Sequence, residues 1–136
     1  MPAATKTRVL LADDHPALLA ETARLLEHEH EVIGVVADGL ELLEAAQRLD
    51  PDLIVLDIGM PGLDGFEAAR RLKRAGCRSR IIFLTVQEDA DYAKEALALG
   101  ADGYVVKSQI VSDLMLAIKD ALAGRRFVSP TLTLSP

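Results

Sequence analysis

A carboxylate follows a short, entirely apolar run near the middle of this 136-residue chain. The run covers Leu53 to Leu56, and Asp57 comes next, with the turn residues Gly59 and Pro61 close behind. A short apolar run bounded by turn residues predicts a strand that is buried on both faces of a parallel sheet. Asp57 is therefore expected at the carboxyl end of a strand, which is the edge of an open α/β sheet where ligands bind.

Three further apolar runs also end in polar side chains. The residues that follow these runs are Asp13 and Asp14, Thr85, and Lys107. If the strands are parallel, all of these side chains emerge at the same edge as Asp57. The sequence therefore predicts one pocket that contains three carboxylates, a hydroxyl group and an ammonium group.

Three neighbouring carboxylates repel one another, and a low dielectric strengthens the repulsion, so such a cluster is tolerated when a cation binds in it. The ligands are all oxygen, without His or Cys at ligand spacing, which favours Mg²⁺ or Mn²⁺ over zinc. A magnesium ion held by few carboxylates keeps coordination positions open for phosphate oxygens. One carboxylate can then attack phosphorus to form an acyl phosphate, while Lys107 neutralises charge and Thr85 donates a hydrogen bond.

The order of elements predicts an α/β fold. Five strand patterns alternate with five helical patterns along the chain, and the connections are short. This alternation is typical of a doubly wound parallel sheet, because right-handed crossovers must cover both faces. Asp38 and Asp64 are each followed three residues later by Glu, which predicts two helix N-termini.

Composition excludes several classes of protein. The net charge of −6 disfavours non-specific nucleic-acid binding, which needs clustered basic residues. Cys77 is the lone cysteine, which excludes an internal disulfide and suits a reducing compartment. No apolar stretch approaches the roughly 20 residues of a membrane span. Residues 1–8 carry charge without the apolar segment of a secretory leader, so we expect a cytoplasmic protein that does not bind membranes.

Together, these motifs resemble the receiver domain of two-component response regulators. The residues that carry the resemblance are Asp13, Asp14, Asp57 followed by Met60, Pro61, Gly62 and Gly65, then Thr85 and Lys107. The resemblance covers residues 7–123 and leaves residues 124–136 as a C-terminal tail or linker. It implies a flavodoxin-like sheet of five parallel strands in the order 2-1-3-4-5 with five helices.

The resemblance also implies roles at the acidic pocket. Asp57 would be the phosphoacceptor. Asp14, Asp57 and the main-chain carbonyl of Gly59 would bind Mg²⁺ (or Mn²⁺) directly, and Asp13 would act through a water molecule. The implied function is a phospho-accepting signalling domain, not an enzyme on other substrates, which catalyses only its own phosphorylation and dephosphorylation.

Three further residues have implied roles in transfer and switching. Lys107 would pair with the phosphoryl group. Thr85 and Tyr104 resemble the switch pair, in which the threonine moves towards the phosphoryl group and the aromatic ring turns inward. This conformational change would control a partner or an output domain.

The implied partners are a histidine kinase or a phosphotransfer protein, which would supply the phosphoryl group. The last helix also carries an apolar flank that the core does not need, which leaves room for a homodimer favoured by phosphorylation. The residues of this flank are Val111, Met115 and Leu122.

One subfamily fits best. His15 and Pro16 after the two acids, together with residues 124–130, resemble receivers that precede a LuxR-type (NarL-type) helix-turn-helix domain. Such a domain needs roughly 55–65 residues to fold, and only a tail follows Ala123 in this sequence. The chain is then either a stand-alone regulator or a shortened transcription factor, and we expect no direct nucleic-acid binding by it.

Three alternatives compete with a phospho-accepting receiver. A haloacid-dehalogenase-like phosphatase needs a second Asp two residues after the nucleophile, where this chain has Gly59. An FMN carrier needs a loop rich in Ser, Thr and Gly after the first strand, where Asp13 and Asp14 would repel the phosphate. A degenerate receiver that serves only as an interaction module would not need the complete set of pocket residues.

Overall fold

The computed structural model describes residues 6–132, in which strands and helices alternate. The strands are β1 (Arg8–Ala12), β2 (Glu31–Val36), β3 (Leu53–Leu56), β4 (Arg80–Thr85), β5 (Gly103–Val106) and β6 (Phe127–Val128). The α-helices are α1 (Pro16–Leu26), α2 (Gly39–Leu49), α3 (Gly65–Arg74), α4 (Ala90–Ala98) and α5 (Ile110–Leu122). A 3₁₀ turn over Lys107–Gln109 leads from β5 into α5.

All strands lie in one parallel sheet of order β2-β1-β3-β4-β5-β6. The predicted α/β fold, the five helices and the order of the first five strands are confirmed. The predicted strand number of five is wrong, because Phe127 and Val128 pair with Gly103 and Tyr104 and add a sixth strand. This strand lies inside the segment 124–136, of which residues 133–136 are outside the described part of the chain.

Alternate strand residues face two separate apolar clusters, as expected for a sheet covered on both sides. Leu10, Ile54 and Tyr104 face the cluster that α2, α3 and α4 cover. Val9, Leu53 and Val105 face the cluster that α1 and α5 cover. The continuous apolar runs of the sequence therefore become strands buried on both faces, and their polar ends are left at one edge.

Local signals start the helices where the sequence predicts. The Asp38 carboxylate accepts a hydrogen bond from the amide of Glu41 at 2.8 Å, and Asp64 accepts one from Glu67 at 2.9 Å. Pro16 occupies the first turn of α1, where its missing N–H group has no intrahelical partner to lose. These caps fix the points at which the chain leaves the carboxyl edge of the sheet and enters a helix.

Helix α3 begins in close contact with the end of β3. The amide of Gly65 donates a hydrogen bond of 2.7 Å to the carbonyl of Ile58. A Cβ atom at position 65 would lie only 2.2 Å from the main-chain oxygen of Asp57, so a glycine is required there.

No helix in the described part of the chain combines the length and the apolar character that a membrane span requires.

Candidate functional site

The carboxyl edge of the sheet brings the predicted pocket residues together. Asp13 and Asp57 directly follow β1 and β3, Thr85 is the last residue of β4, and Lys107 directly follows β5. Backbone pairing continues past β3, since the amide of Asp57 donates to the carbonyl of Ala12 at 2.9 Å. The pocket side chains are therefore held by the sheet itself, which fixes their relative positions more tightly than a loop would.

Lys107 joins two of the acids. Its ammonium nitrogen lies 2.7 Å from Oδ2 of Asp13 and 3.0 Å from Oδ2 of Asp57. All three side chains are more than nine-tenths buried. At this burial, charge-assisted hydrogen bonds are short and strong, and removing one partner leaves an uncompensated charge.

Asp14 is the more exposed acid, and His15 contacts both Asp13 and Asp14. The Nδ1 atom of His15 lies 2.9 Å from Oδ1 of Asp13 and 3.1 Å from Oδ1 of Asp14. The hydrogen bond to Asp13 raises the pKa of His15; the charge of Lys107 opposes this rise, and the charges of Asp13 and Asp14 add to it. The largely exposed imidazole thus lies at the edge of the acidic pocket, in contact with two of its acids.

The donor atoms have the chemistry and the spacing of a site for a small hard cation. One possible ligand atom from each of Asp13, Asp14, His15 and Asp57 lies within 4.8 Å of all the others. An octahedral ion with bonds of about 2.0–2.1 Å has ligands separated by roughly 3–4 Å, so small side-chain adjustments would suffice. Three carboxylates favour Mg²⁺ or Mn²⁺, and Gly59 lies exposed two residues after Asp57. The residues fit such an ion.

Thr85 and Tyr104 are linked by the loop that follows β4. The Tyr104 ring is fully buried, and its hydroxyl donates a 2.7 Å hydrogen bond to the carbonyl of Gln87. The amide of Gln87 in turn donates to Oγ1 of Thr85 at 3.3 Å. Burial raises the pKa of Tyr104, and the charges of Tyr92, Asp57 and Asp89 contribute to the rise. The ring is therefore a neutral hydrogen-bond donor in the inward position.

Sequence reasoning did not identify two residues of this site. No motif in the sequence singles out Gln87, although its main chain connects Thr85 to Tyr104. His15 was treated as part of a subfamily motif, although it contacts both neighbouring acids. The position of His15 between the Asp pair and the first residue of α1 is the signal that could have revealed it.

The sequence profile of the response regulator receiver domain matches residues 9–119. The chain belongs to this family. Among its relatives is the nitrate/nitrite response regulator protein NarL of Escherichia coli (strain K12), which is 37% identical over 127 residues and matches 92% of this chain and 59% of the relative. The homologues are thus response regulators of the NarL/LuxR type. The chain spans 58–64% of the length of the curated relatives it matches.

Solved structures agree with this assignment. A LuxR-family two-component response regulator from Aurantimonas sp. SI85-9A1 has a TM-score of 0.89 at 35% identity, covering 94% of this chain and 93% of that chain. The isolated REC domain of RcsB from Salmonella enterica serovar Typhimurium, solved in the presence of phosphomimetic BeF3-, has a TM-score of 0.87 at 28% identity, covering 94% and 96%. The flavodoxin-like receiver fold is therefore shared with proteins of the same class.

Proposed function

We propose that this receiver domain accepts a phosphoryl group on Asp57 in a Mg²⁺-dependent reaction and changes conformation to control a partner or an output domain. The donor would be a phosphohistidine on a histidine kinase or a phosphotransfer protein. The observation that carries the proposal is the position of Asp57 at the carboxyl edge of the sheet, with its carboxylate 3.0 Å from the Lys107 ammonium group.

Transfer requires an oxygen nucleophile, a good leaving group and compensation of charge. An oxygen of the Asp57 carboxylate would form the new bond to phosphorus as the bond from phosphorus to the donor imidazole nitrogen breaks. The electron pair of the broken bond would leave with that nitrogen. The Lys107 ammonium group would move partly away from Asp57 to contact a phosphoryl oxygen. Its positive charge would then lie where negative charge develops during transfer.

The acidic pocket would hold the metal ion. Asp14, Asp57 and the main-chain carbonyl of Gly59 would bind it directly, and Asp13 would act through water, because both Asp13 oxygens already accept short contacts from Lys107 and His15. When bound, the ion would neutralise and orient the phosphoryl oxygens. Mn²⁺ would be able to replace Mg²⁺, since both prefer oxygen ligands.

Switching would run through Thr85 and Tyr104. The Thr85 hydroxyl accepts only a long contact from the Gln87 amide, at 3.3 Å, so it can turn to donate to a phosphoryl oxygen. The loop after β4 would follow, because the Gln87 carbonyl is tied to the Tyr104 hydroxyl. The phosphoryl group would thus favour one arrangement of the loop and of the Tyr104 ring over the others, which is a shift of populations.

The wider biological role is also part of the proposal. The chain would act in the cytoplasm, away from membranes, and would catalyse only its own phosphorylation and dephosphorylation. Residues 6–132 would not bind nucleic acid themselves, because the chain has a net charge of −6. Val111 and Leu122 are exposed on α5, at 79% and 42%, and would contribute to a homodimer favoured by phosphorylation.

The direct test is chemical phosphorylation of the purified chain. Incubation with acetyl phosphate or phosphoramidate and Mg²⁺ should add a single phosphoryl group, which intact-mass spectrometry detects. Asp57→Asn should abolish the addition. Asp64→Asn, which changes an exposed acid in the same β3–α3 connection, should leave it unchanged. No addition to the wild-type chain would favour the degenerate receiver, and an unchanged mass shift in Asp57→Asn would refute the assignment of the acceptor.

A further inference from the structure

The C-terminal strap, which we define as residues 127–132, crosses the edge of the sheet between the two apolar clusters. Phe127 packs against the cluster that α1 and α5 cover. Val128 and Leu132 pack against the opposite cluster, which includes Tyr104 and the buried alanines of α4. The strap therefore contacts the face of the sheet on which the switch residue Tyr104 lies.

Ser129 fastens the strap to β5 by two hydrogen bonds. Its amide donates to the carbonyl of Tyr104 at 2.9 Å, and its hydroxyl oxygen accepts from the amide of Val106 at 3.0 Å. The Ser129 side chain is completely buried. A turn closed by the Leu132 amide on the Ser129 carbonyl, at 3.0 Å, then directs Leu132 back to the sheet.

Of the two residues that Ser129 holds, Tyr104 belongs to the candidate site and Val106 adjoins it. Tyr104 carries the hydroxyl that binds the Gln87 carbonyl, and Val106 immediately precedes Lys107. The strap thus lies on one side of β5, and the loop after β4 lies on the other. Val128 and Leu132 share an apolar cluster with the Tyr104 ring and the α4 alanines, so we expect a change in the ring or in α4 to alter their packing.

The strap is also weakly held compared with the rest of the sheet. Apart from the two hydrogen bonds of Ser129, its strand pairs only two residues, and one more main-chain bond joins the Phe127 amide to the Asp102 carbonyl at 3.2 Å. Segments with few buried contacts and few backbone bonds open at much lower free energy than core strands. We therefore expect the strap to open at a lower free energy than β5, to which it is paired.

We propose that the strap couples the arrangement of Tyr104 and the β4–α4 loop to the polypeptide attached after residue 132. The docked strap favours the inward ring, and the inward ring favours the docked strap. Such coupling is reciprocal. Releasing the strap must therefore also weaken the binding of any ligand that selects the inward arrangement of the Tyr104 ring. Only the link to phosphorylation rests on the proposed function; the coupling itself does not.

The coupling is tested without any ligand by hydrogen–deuterium exchange. Ser129→Ala removes the acceptor for the Val106 amide, and Leu132→Ala removes the apolar contact; Thr131→Ala changes an exposed residue of the same turn and serves as the control. We expect amides of residues 87–91 and of α4 to exchange at least about fivefold faster in the first two variants than in the control. Amides of α1 serve as the internal reference for global stability.

Acceleration confined to the strap and β5 would overturn the coupling, and so would an equal acceleration in α1. The wild-type chain gives a second test that needs no variant. With beryllofluoride and Mg²⁺ bound, the amides of Phe127 and Ser129 should exchange more slowly than in the ligand-free chain. Unchanged exchange there, with clear changes around Asp57, would also overturn it.

The functional consequence is tested by the affinity for beryllofluoride. We expect Ser129→Ala and Leu132→Ala to bind it about fivefold more weakly than Thr131→Ala and the wild type. Equal or tighter binding would show that the strap does not favour the inward arrangement. If wild type fails to bind beryllofluoride at all, the proposed phosphoryl site is wrong, while the ligand-free exchange experiment still decides the coupling.

Discussion

Lys107 supplies a single positive charge to two buried carboxylates. Its ammonium group lies 2.7 Å from Asp13 and 3.0 Å from Asp57, so it balances only part of their charge. The third acid, Asp14, is more exposed and contacts His15. The pocket therefore remains negative although it contains a lysine, which leaves it attractive to a divalent cation.

Lys107→Met should destabilise the chain in EDTA. The substitution keeps much of the side-chain volume but leaves Asp13 and Asp57 buried without their shared cation. Breaking a buried pair in this way costs roughly 3–5 kcal/mol, which lowers the melting temperature by roughly 10 °C or more in a domain of this size. Lys94→Met, at an exposed position on α4, should change the melting temperature little. Equal melting of both variants in EDTA would contradict a charge role for Lys107.

The positions of the pocket residues could be predicted because each follows an apolar run that identifies a strand. Once the strands are known to be parallel, their direction alone places Asp57, Thr85 and Lys107 at one edge of the sheet. The contacts of His15 and Gln87 could not be predicted in this way. They depend on side-chain rotamers and on the path of a loop, which the periodicity of hydrophobic residues does not encode.

His30 should make the stability of the fold depend on pH. Its ring is half-buried, and its Nδ1 atom has no hydrogen-bond partner among the described residues. Burial lowers the pKa of His30, with the charge of Glu29 opposing and that of Lys6 adding to the effect. Because the unfolded chain then binds the proton of this residue more readily, the contribution of His30 to the free energy of unfolding should fall as the pH drops below about 6.5, whereas the raised pKa of His15 acts in the opposite direction. Above that value the imidazole is neutral in both states and the penalty is absent.

The measurement is urea unfolding at pH 7.5 and at pH 5.5. The wild type should lose more stability between the two values than His30→Gln does. His28→Gln, which removes an exposed imidazole from the same turn, should lose as much as the wild type. The same loss in the wild type and in His30→Gln would rule out this histidine as a source of the pH dependence.

At the scale of secondary structure, the long elements were predictable and the shortest one was not. Strands β1, β3, β4 and β5 each carry an apolar run that the core requires on both faces. Strand β6 has only Phe127 and Val128, which is too short for a periodic signal. It covers the edge that β5 would otherwise leave open, and Ser129 adds a hydrogen bond to β5 through its hydroxyl group.

The contact between α3 and β3 gives a test at this scale. In a helix, alanine is normally favoured over glycine by about 1 kcal/mol. At Gly65 the added Cβ would instead lie 2.2 Å from the Asp57 carbonyl oxygen and 2.8 Å from the Ile58 Cα. Since both neighbours are main-chain atoms, we expect Gly65→Ala to destabilise the fold by about 3 kcal/mol.

Thermal melting with Gly59→Ala as the control measures this effect. A Cβ at Gly59 meets nothing within 4 Å, so this variant should melt within a few degrees of the wild type. A Gly65→Ala variant that melts as high as the wild type would show that α3 does not need to approach Asp57 so closely. The close contact would then have no role in positioning Asp57.

At the scale of the whole molecule, the carboxyl edge of the sheet differs from the rest of the charged surface. The net charge is −6, and the charged pairs on α3 and α4 compensate locally, as in the Arg70–Glu95 contact of 2.8 Å. At the carboxyl edge, the buried Asp13 and Asp57 converge with the more exposed Asp14. Cation binding there should therefore be coupled to the stability of the entire domain.

Magnesium should raise the melting temperature of the chain, since an ion that binds only the folded state stabilises it by mass action. At a hundred times its dissociation constant the gain is about 2.7 kcal/mol, or roughly 10 °C for a domain of this size. Asp57→Asn should gain less, because it removes a charged oxygen ligand, whereas Asp64→Asn should gain as much as the wild type. Lys107→Met should gain more than the wild type, because the metal would replace the missing cation.

Melting curves recorded with EDTA and with Mg²⁺ give this gain for the wild type and the three variants. If Mg²⁺ raises the melting temperature of wild type and Asp57→Asn equally, the ion binds elsewhere on the acidic surface, and the pocket is not its site.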